Sequence, residues 1–238
     1  MPSGFSGFPP EALKFLRDLK RNNRREWFQP RKESFDLHVR TPMTELVTAL
    51  NSELARFAPE YVTDPNRAIF RIYRDTRFSA DKTPYKTHIA ARFPRRGLDT
   101  SAPSVFYFSV SADEIGVGGG IYHPDPQAML TIRTWIAEHH RELRRVLQNR
   151  SLKQSLGELQ GDELRRMPKG FDPEHPAADL IRKKDWFLYA PLDTKLAVGP
   201  ELFKELRSRF RLMLPVLEAL AKPFPARKTV TAPLEFRS

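Results

Sequence analysis

From Asn66 onward the apolar residues of this chain stop recurring every three or four positions and begin to alternate. Alternation sends successive side chains to opposite faces, so it specifies strands, and the connections between strands then decide how they pair. Four such segments follow one another: Arg67–Arg74, Lys86–Phe93, Val105–Ser111 and Glu114–Gly120. No intervening stretch is long enough for the helical crossover that a parallel pair needs. The pattern predicts an antiparallel meander of four strands, with a hairpin turn at Ala112-Asp113. Trp186–Pro191 reads as a further, edge strand.

Helical periods flank this block. Pro9-Pro10 lead into Ala12, Leu13, Phe15, Leu16 and Leu19, spaced as one face of a helix, and Asn22-Asn23 stop it. A second segment runs from Arg25 to Pro42. A third, Thr41–Phe57, opens on Thr-Pro, which suits an N-cap and first helical position. Asp125 caps a long helix with Met129, Ile132, Ile136 and Leu143 inward, and further helices are expected at Ser151–Leu164, at Pro176–Lys184 (a short one) and at Pro200–Ala221, a final amphipathic helix. The expected fold is α+β: one domain over residues 1–238, with about 1–8 and 223–238 as peripheral tails. N-terminal helices precede a central four-stranded antiparallel sheet, and C-terminal helices cover one of its faces. Ala68, Phe70 and Ile72, with Thr87, Ile89, Ala91 and Phe93, should face those helices. Arg67, Arg71, Tyr73, Lys86, His88 and Arg92 should lie on the other side.

Several chemistries are excluded at the outset. The 238 residues include no Cys, which removes thiol nucleophiles, disulfides and Cys-based metal sites. No phosphate-binding P-loop, zinc-protease or nucleophile-elbow motif occurs. No apolar run approaches the ~18 residues of a membrane span, and the N-terminus lacks a secretory signal, so a cytoplasmic protein with no membrane partner is expected. The glycines at 116, 118, 119 and 120 lack the sixth-place glycine of a dinucleotide fingerprint. They serve either a bend or bulge, or a ligand's approach to bare backbone. The six histidines show no metal-ligand spacing, so no metal and no particular cofactor is implied.

Charge is the most informative remaining feature. The net charge is +11, and residues 67–96 alone hold nine basic side chains against Asp75 and Asp81. Within them runs Arg71-Ile-Tyr-Arg-Asp-Thr-Arg-Phe-Ser-Ala-Asp-Lys-Thr-Pro-Tyr-Lys86. Arg74 is expected on the apolar strand face beside Phe70 and Ile72, where a buried guanidinium needs a fixed anion, and Asp75 is the nearest. Arg77, Lys82 and Lys86 surround a turn that contains Ser79, Asp81 and Thr83. Cations, hydroxyls and free amides together suit a phosphate or carboxylate pocket, and they equally suit a salt-bridge lattice that pins a hairpin. The residues leave both readings open.

The run matches R-x-x-R-D-x-R-F-x-x-x-K-x-P-Y-K at Arg71, Arg74, Asp75, Arg77, Phe78, Lys82, Pro84, Tyr85 and Lys86. In this it resembles the bacterial DUF2461 family, a domain of unknown function. Asn22-Asn23-Arg-Arg-Glu-Trp-Phe28, Gly118-Gly-Gly-Ile-Tyr-His-Pro124 and His175-Pro-Ala-Ala-Asp179 are similar to that family as well. The resemblance spans roughly residues 8–222 and implies no particular activity.

The function expected from the residues is binding of an anionic small ligand, a nucleotide or phosphorylated metabolite. Arg71, Arg74, Arg77, Lys82 and Lys86 would supply counter-charge, and Tyr73 or Tyr85 a hydroxyl or stacking face. For an enzyme, His88 and Asp75 are the general acid–base candidates. The alternatives are a nucleic-acid-binding module, supported by the charge and by Phe106, Tyr107 and Phe108, and a scaffold whose Arg/Asp lattice is structural.

Overall fold

The computed structural model describes residues 4–227. Helix α1 (Pro10–Arg21) buries Ala12, Phe15, Leu16 and Leu19, and ends where the Asn22 amide bonds the Asp18 and Leu19 carbonyls. Next come α2 (Arg25–Phe28), a 3-10 turn, α3 (Lys32–Phe35), a π-helical turn over Asp36–Arg40 and α4 (Thr41–Phe57), without interruption. The expected helix start at Thr41 is therefore a passage through a continuous helical path. Pro42 has no amide to donate, and the wider turn before it absorbs the missing bond. Thr41 Oγ1 donates to the Asp36 carbonyl at 2.9 Å across that turn.

After the short helix α5 (Pro65–Ala68) come the strands β1 (His88–Pro94), β2 (Val105–Ser111) and β3 (Ile115–Ile121). Helices α6 (Pro126–Leu147), α7 (Arg150–Leu156) and α8 (Ala178–Ile181) lead to strand β4 (Trp186–Leu192) and helix α9 (Glu201–Ala221). The fold is α+β, with one antiparallel sheet in the order β1-β2-β3-β4 and helices on both sides of it in sequence. Asp125 caps α6 as expected, accepting from the Ala128 amide. Helix α7 stops at Leu156 instead of reaching Leu164, because Gly157 turns the chain at φ 75°.

The four strands are not the four expected in sequence. Arg67–Arg74 forms no strand, and Trp186–Leu192, anticipated as an edge, is the fourth member. Two causes act on the first segment. Asp64 accepts from the Asn66 amide, and Pro65 occupies the first helical position, so residues 65–68 coil. Beyond them, Ile69 bridges Ala91 and Tyr73 bridges Tyr85. Four residue steps on one side thus face six on the other, and the ladder breaks into isolated bridges.

One sheet face packs on α9. Phe210 stacks on Phe106 with ring centroids 4.6 Å apart and meets Phe93 edge-on at 5.8 Å. Ile89, Ala91, Phe93, Phe108 and Val117 are buried with them in one contiguous cluster. Phe5, Phe8 and Phe224 belong to that cluster too. The chain ends placed outside the core in sequence thus carry core residues, although residues 1–3 and 228–238 lie outside the described part. Phe70, expected on this face, lies on the other one with Tyr107, their rings 6.5 Å apart. Thr87 is only half-buried.

Candidate functional site

The Arg71–Lys86 run forms a short two-stranded arm closed by a turn. The Arg74 amide donates to the Pro84 carbonyl at 2.9 Å and the Lys86 amide to the Ile72 carbonyl at 2.8 Å. Within the turn the cations are already engaged. Arg74 donates to Asp81 and to the Thr83 hydroxyl, and the Thr83 amide also donates to Asp81 at 2.9 Å. The Arg74 guanidinium draws the Asp81 carboxyl down to about 2, with the Thr83 bonds adding to the effect. Arg77 grips Asp75 with Nε at 3.1 Å and Nη2 at 2.8 Å, and lowers the Asp75 pKa. Lys82 Nζ donates to the Thr76 carbonyl at 2.9 Å. The pairing expected between Arg74 and Asp75 is thus replaced by two others. Arg74 is partly exposed, not sealed beneath the sheet, with 27% of its side chain accessible.

Tyr85 serves the core. Its ring stacks on Phe28 at 4.2 Å, and its backbone is held by the Asn23 side chain. The segment containing Asn23 and Phe28 is thereby fastened to the basic run. A hollow of about 390 Å³ brings Arg74, Tyr85, Lys86 and His88 to one place. However, its other cation, Lys20, is bonded to Asp113 at 2.7 Å, as Arg74 is to Asp81.

Of the nine basic side chains in residues 67–96, only Arg74, Arg77 and Arg95 pair with a carboxylate, and Arg67, Arg71, Lys82, Lys86, Arg92 and Arg96 have none within ion-pair distance among the described residues. Two of them lie against one ring. Lys86 Nζ lies 4.8 Å from the Phe70 centroid and Arg92 Cζ 5.5 Å from it. Burial and the Arg71 charge push the Lys86 pKa down. Burial, then Lys86, does the same to His88 at the start of β1. His88 and Asp75, the two acid–base candidates, belong to different places: one on the sheet, the other in the turn under Arg77.

Phe70 and Arg92 form one margin of a trough of about 630 Å³ on the sheet face away from α9. Register builds its floor. Arg92 pairs with Tyr107, Tyr107 with Gly118, and Gly118 with Tyr189, so one row crosses all four strands. Tyr122 and Phe187 stand at the β3–β4 side, with rings 5.4 Å apart and nearly perpendicular. The lining is mostly apolar and aromatic, as in most small-molecule pockets, whose volumes run from about 300 to 1,000 Å³. At the far side the Tyr189 hydroxyl donates to Glu114. Burial, reinforced by that carboxylate, raises the Tyr189 pKa, and burial raises that of Tyr107.

The glycine run has a structural explanation. A Cβ at Gly116 would lie 2.3 Å from the Tyr189 hydroxyl, and one at Gly120 would lie 2.1 Å from the Trp186 carbonyl oxygen. The glycines let β4 and the Tyr189 ring approach β3, and Gly118, Gly119 and Gly120 also line the trough. His175-Pro-Ala-Ala-Asp179 is likewise held structurally, with Asp179 on Arg144 at 2.7 Å and His175 Nδ1 accepting from the Ala177 amide.

A family model described as a conserved hypothetical protein, DUF2461, matches residues 11–218. The chain belongs to this family. No curated protein and no solved structure matches the chain. In this DUF2461 chain the basic run ties the N-terminal helices to the sheet. The trough's aromatic residues Tyr107, Tyr122, Phe187 and Tyr189 lie outside that run, and of them the sequence marked only Tyr107, in support of the nucleic-acid alternative. The available signal was the row of small residues in β3 between strands carrying aromatics.

Proposed function

We propose that the protein binds an anionic small molecule in the trough, with Arg92 and Lys86 as its counter-charge and Arg71 adding to the local field. The observation that carries this reading is the pair of cations against Phe70 without a carboxylate, at the margin of an aromatic hollow. Lys86 is partly desolvated and lacks an anionic partner, a costly arrangement, and an anion seated against it and the exposed Arg92 recovers that cost. The concave shape favours a small ligand over an extended polymer. In the turn, by contrast, Arg74, Arg77 and Lys82 already have partners, so their place in this reading is to hold the arm that carries Lys86.

Thermal denaturation with phenyl phosphate, glucose 6-phosphate and an oligothymidylate tests the proposal. A probe at one hundred times its Kd stabilises by about 2.7 kcal/mol. Stabilisation by a small anion is expected in the wild type and in Lys82→Ala, and its loss in Arg92→Ala and Lys86→Ala. The proposal fails if Arg92→Ala responds like wild type while Lys82→Ala does not, since that returns the site to the turn. It fails equally if only the oligonucleotide binds, with the steep salt dependence of phosphate contacts.

A further inference from the structure

The trough is chemically polar along its width. On the β1 side stands the cation Arg92, and Lys86 lies against the Phe70 ring of the same margin, next to the trough and not in its lining. Over β3, on the opposite side, lies the Tyr189 hydroxyl, close to where a Gly116 side chain would begin. Because that hydroxyl donates to Glu114, its own lone pairs are what it offers to a neighbour. Glu114 lies next to the trough and not in its lining; it is exposed and carries a second carboxylate oxygen, so acceptors and negative charge stand behind the Tyr189 hydroxyl. The two sides are two inter-strand steps apart and, since Gly116 lies in the row of Ala90 and not of Arg92, two residues apart along the strands, about 12 Å in all. Between them the floor is Tyr107 and Gly118, with the rings of Phe187 and Tyr122 beside it.

A free phosphate satisfies only the first side, and a phosphosugar leaves the aromatic floor against hydroxyl groups. We infer that the ligand is a nucleoside monophosphate, with its phosphate at Arg92 and Lys86, its base lying on the aromatic floor, and an N–H edge of that base donating to the Tyr189–Glu114 pair. Tyr189 and Glu114 are then the residues that select the base. This assignment rests on the anion-binding reading above and adds the class of ligand to it.

Calorimetric titration of the full chain with AMP, GMP, CMP, UMP and ribose 5-phosphate tests it. The tightest nucleotide is expected to bind at least tenfold more tightly than ribose 5-phosphate. Glu114→Gln and Tyr189→Phe are expected to weaken that nucleotide about tenfold and to leave ribose 5-phosphate unchanged, whereas Arg92→Ala weakens both. Glu114 is exposed, so Glu114→Gln carries the test if Tyr189→Phe does not fold. Ribose 5-phosphate binding as tightly as every nucleotide overturns the inference, as does Glu114→Gln with an unchanged ratio between the two. In either case, loss of binding in Arg92→Ala leaves the anion site standing. If none of the five probes binds, or if Arg92→Ala binds them like wild type, the anion site falls too.

Discussion

The side-chain amide of Asn23 meets the backbone of Tyr85 as a neighbouring strand would, donating to its carbonyl at 2.8 Å and accepting from its N–H at 3.0 Å. Sixty-two positions separate the two residues, so this contact closes a long loop between the first helices and the start of the sheet. Asn23→Ala leaves both backbone groups of a buried residue without their partner, at a cost of about 1–3 kcal/mol. A urea midpoint unchanged by the substitution would show that other groups serve the Tyr85 backbone. Asn23→Asp, which keeps an acceptor and loses the donor, should fall between wild type and Asn23→Ala.

The turn predicts an acid response. Asp81 has its pKa depressed from 3.8 to about 2 by Arg74 and Thr83. A depressed carboxylate stabilises the fold above its unfolded value and loses that contribution as pH falls toward the folded one. The stability gap between wild type and Arg74→Ala should therefore be constant above about pH 4. It should close as pH drops from 3.8 toward 2. Arg77→Ala and Lys82→Ala, at exposed positions, should leave the neutral-pH midpoint at its wild-type value. Denaturant melts at several pH values decide this, and a gap that persists to the lowest pH contradicts it.

His88 reports on the charge of Lys86. Burial and Lys86 hold its pKa below 6.5, so the unfolded chain takes up a proton more readily than the folded one. Stability attached to His88 is complete above pH 6.5 and declines as pH falls from there to the folded pKa. Lys86→Met removes the neighbouring charge and should move the His88 proton NMR titration upward toward 6.5. A bound anion should move it in the same direction, and a titration unmoved by Lys86→Met would separate the two residues electrostatically.

Gly116 and Gly120 should respond differently to alanine. The obstacle at Gly116 is the Tyr189 side chain, whereas at Gly120 it is the Trp186 backbone, with φ at 142° besides. Gly116→Ala should cost about 1–3 kcal/mol, as overpacking does. Much of that should return in the double variant with Tyr189→Ala, measured against Tyr189→Ala alone. Gly120→Ala should cost at least as much and show no such recovery. Equal behaviour of the two sites would contradict the assigned obstacles.

The sequence made the antiparallel sheet readable because Phe106, Phe108 and Val110 alternate cleanly, and the short Ala112-Asp113 link allows no other pairing. It also made the helix faces of α1 and α6 readable from spacing. Arg67–Arg74 misled because alternation records a tendency to extend, whereas a ladder needs a matching register on the partner, and the two-residue excess between Tyr85 and Ala91 withholds it. That same break turned Phe70 away from the core. The basic run marked the right neighbourhood, but spacing alone could not show which cations the turn consumes. Asp81 lies seven positions from Arg74, and only the fold brings them into contact. The trough itself was illegible because its floor comes from four strands, and the row from Arg92 to Tyr189 exists only through their register.

The same broken register has a bearing on how molecules of this protein meet one another. An open sheet margin exposes a row of unpaired amides and carbonyls, and such a row invites edge-to-edge aggregation. Here the β1 margin is shielded by a segment that touches it at Ile69 and Phe70 and then leaves, too irregular to serve as a template itself. The β4 margin is met by Gln160, whose backbone bridges Phe187 and whose side chain caps the Tyr189 carbonyl at 2.8 Å. A sequence change that straightened residues 69–73 into a regular fifth strand would lengthen the sheet and give it a new, bare border, exchanging local order for a tendency to polymerise.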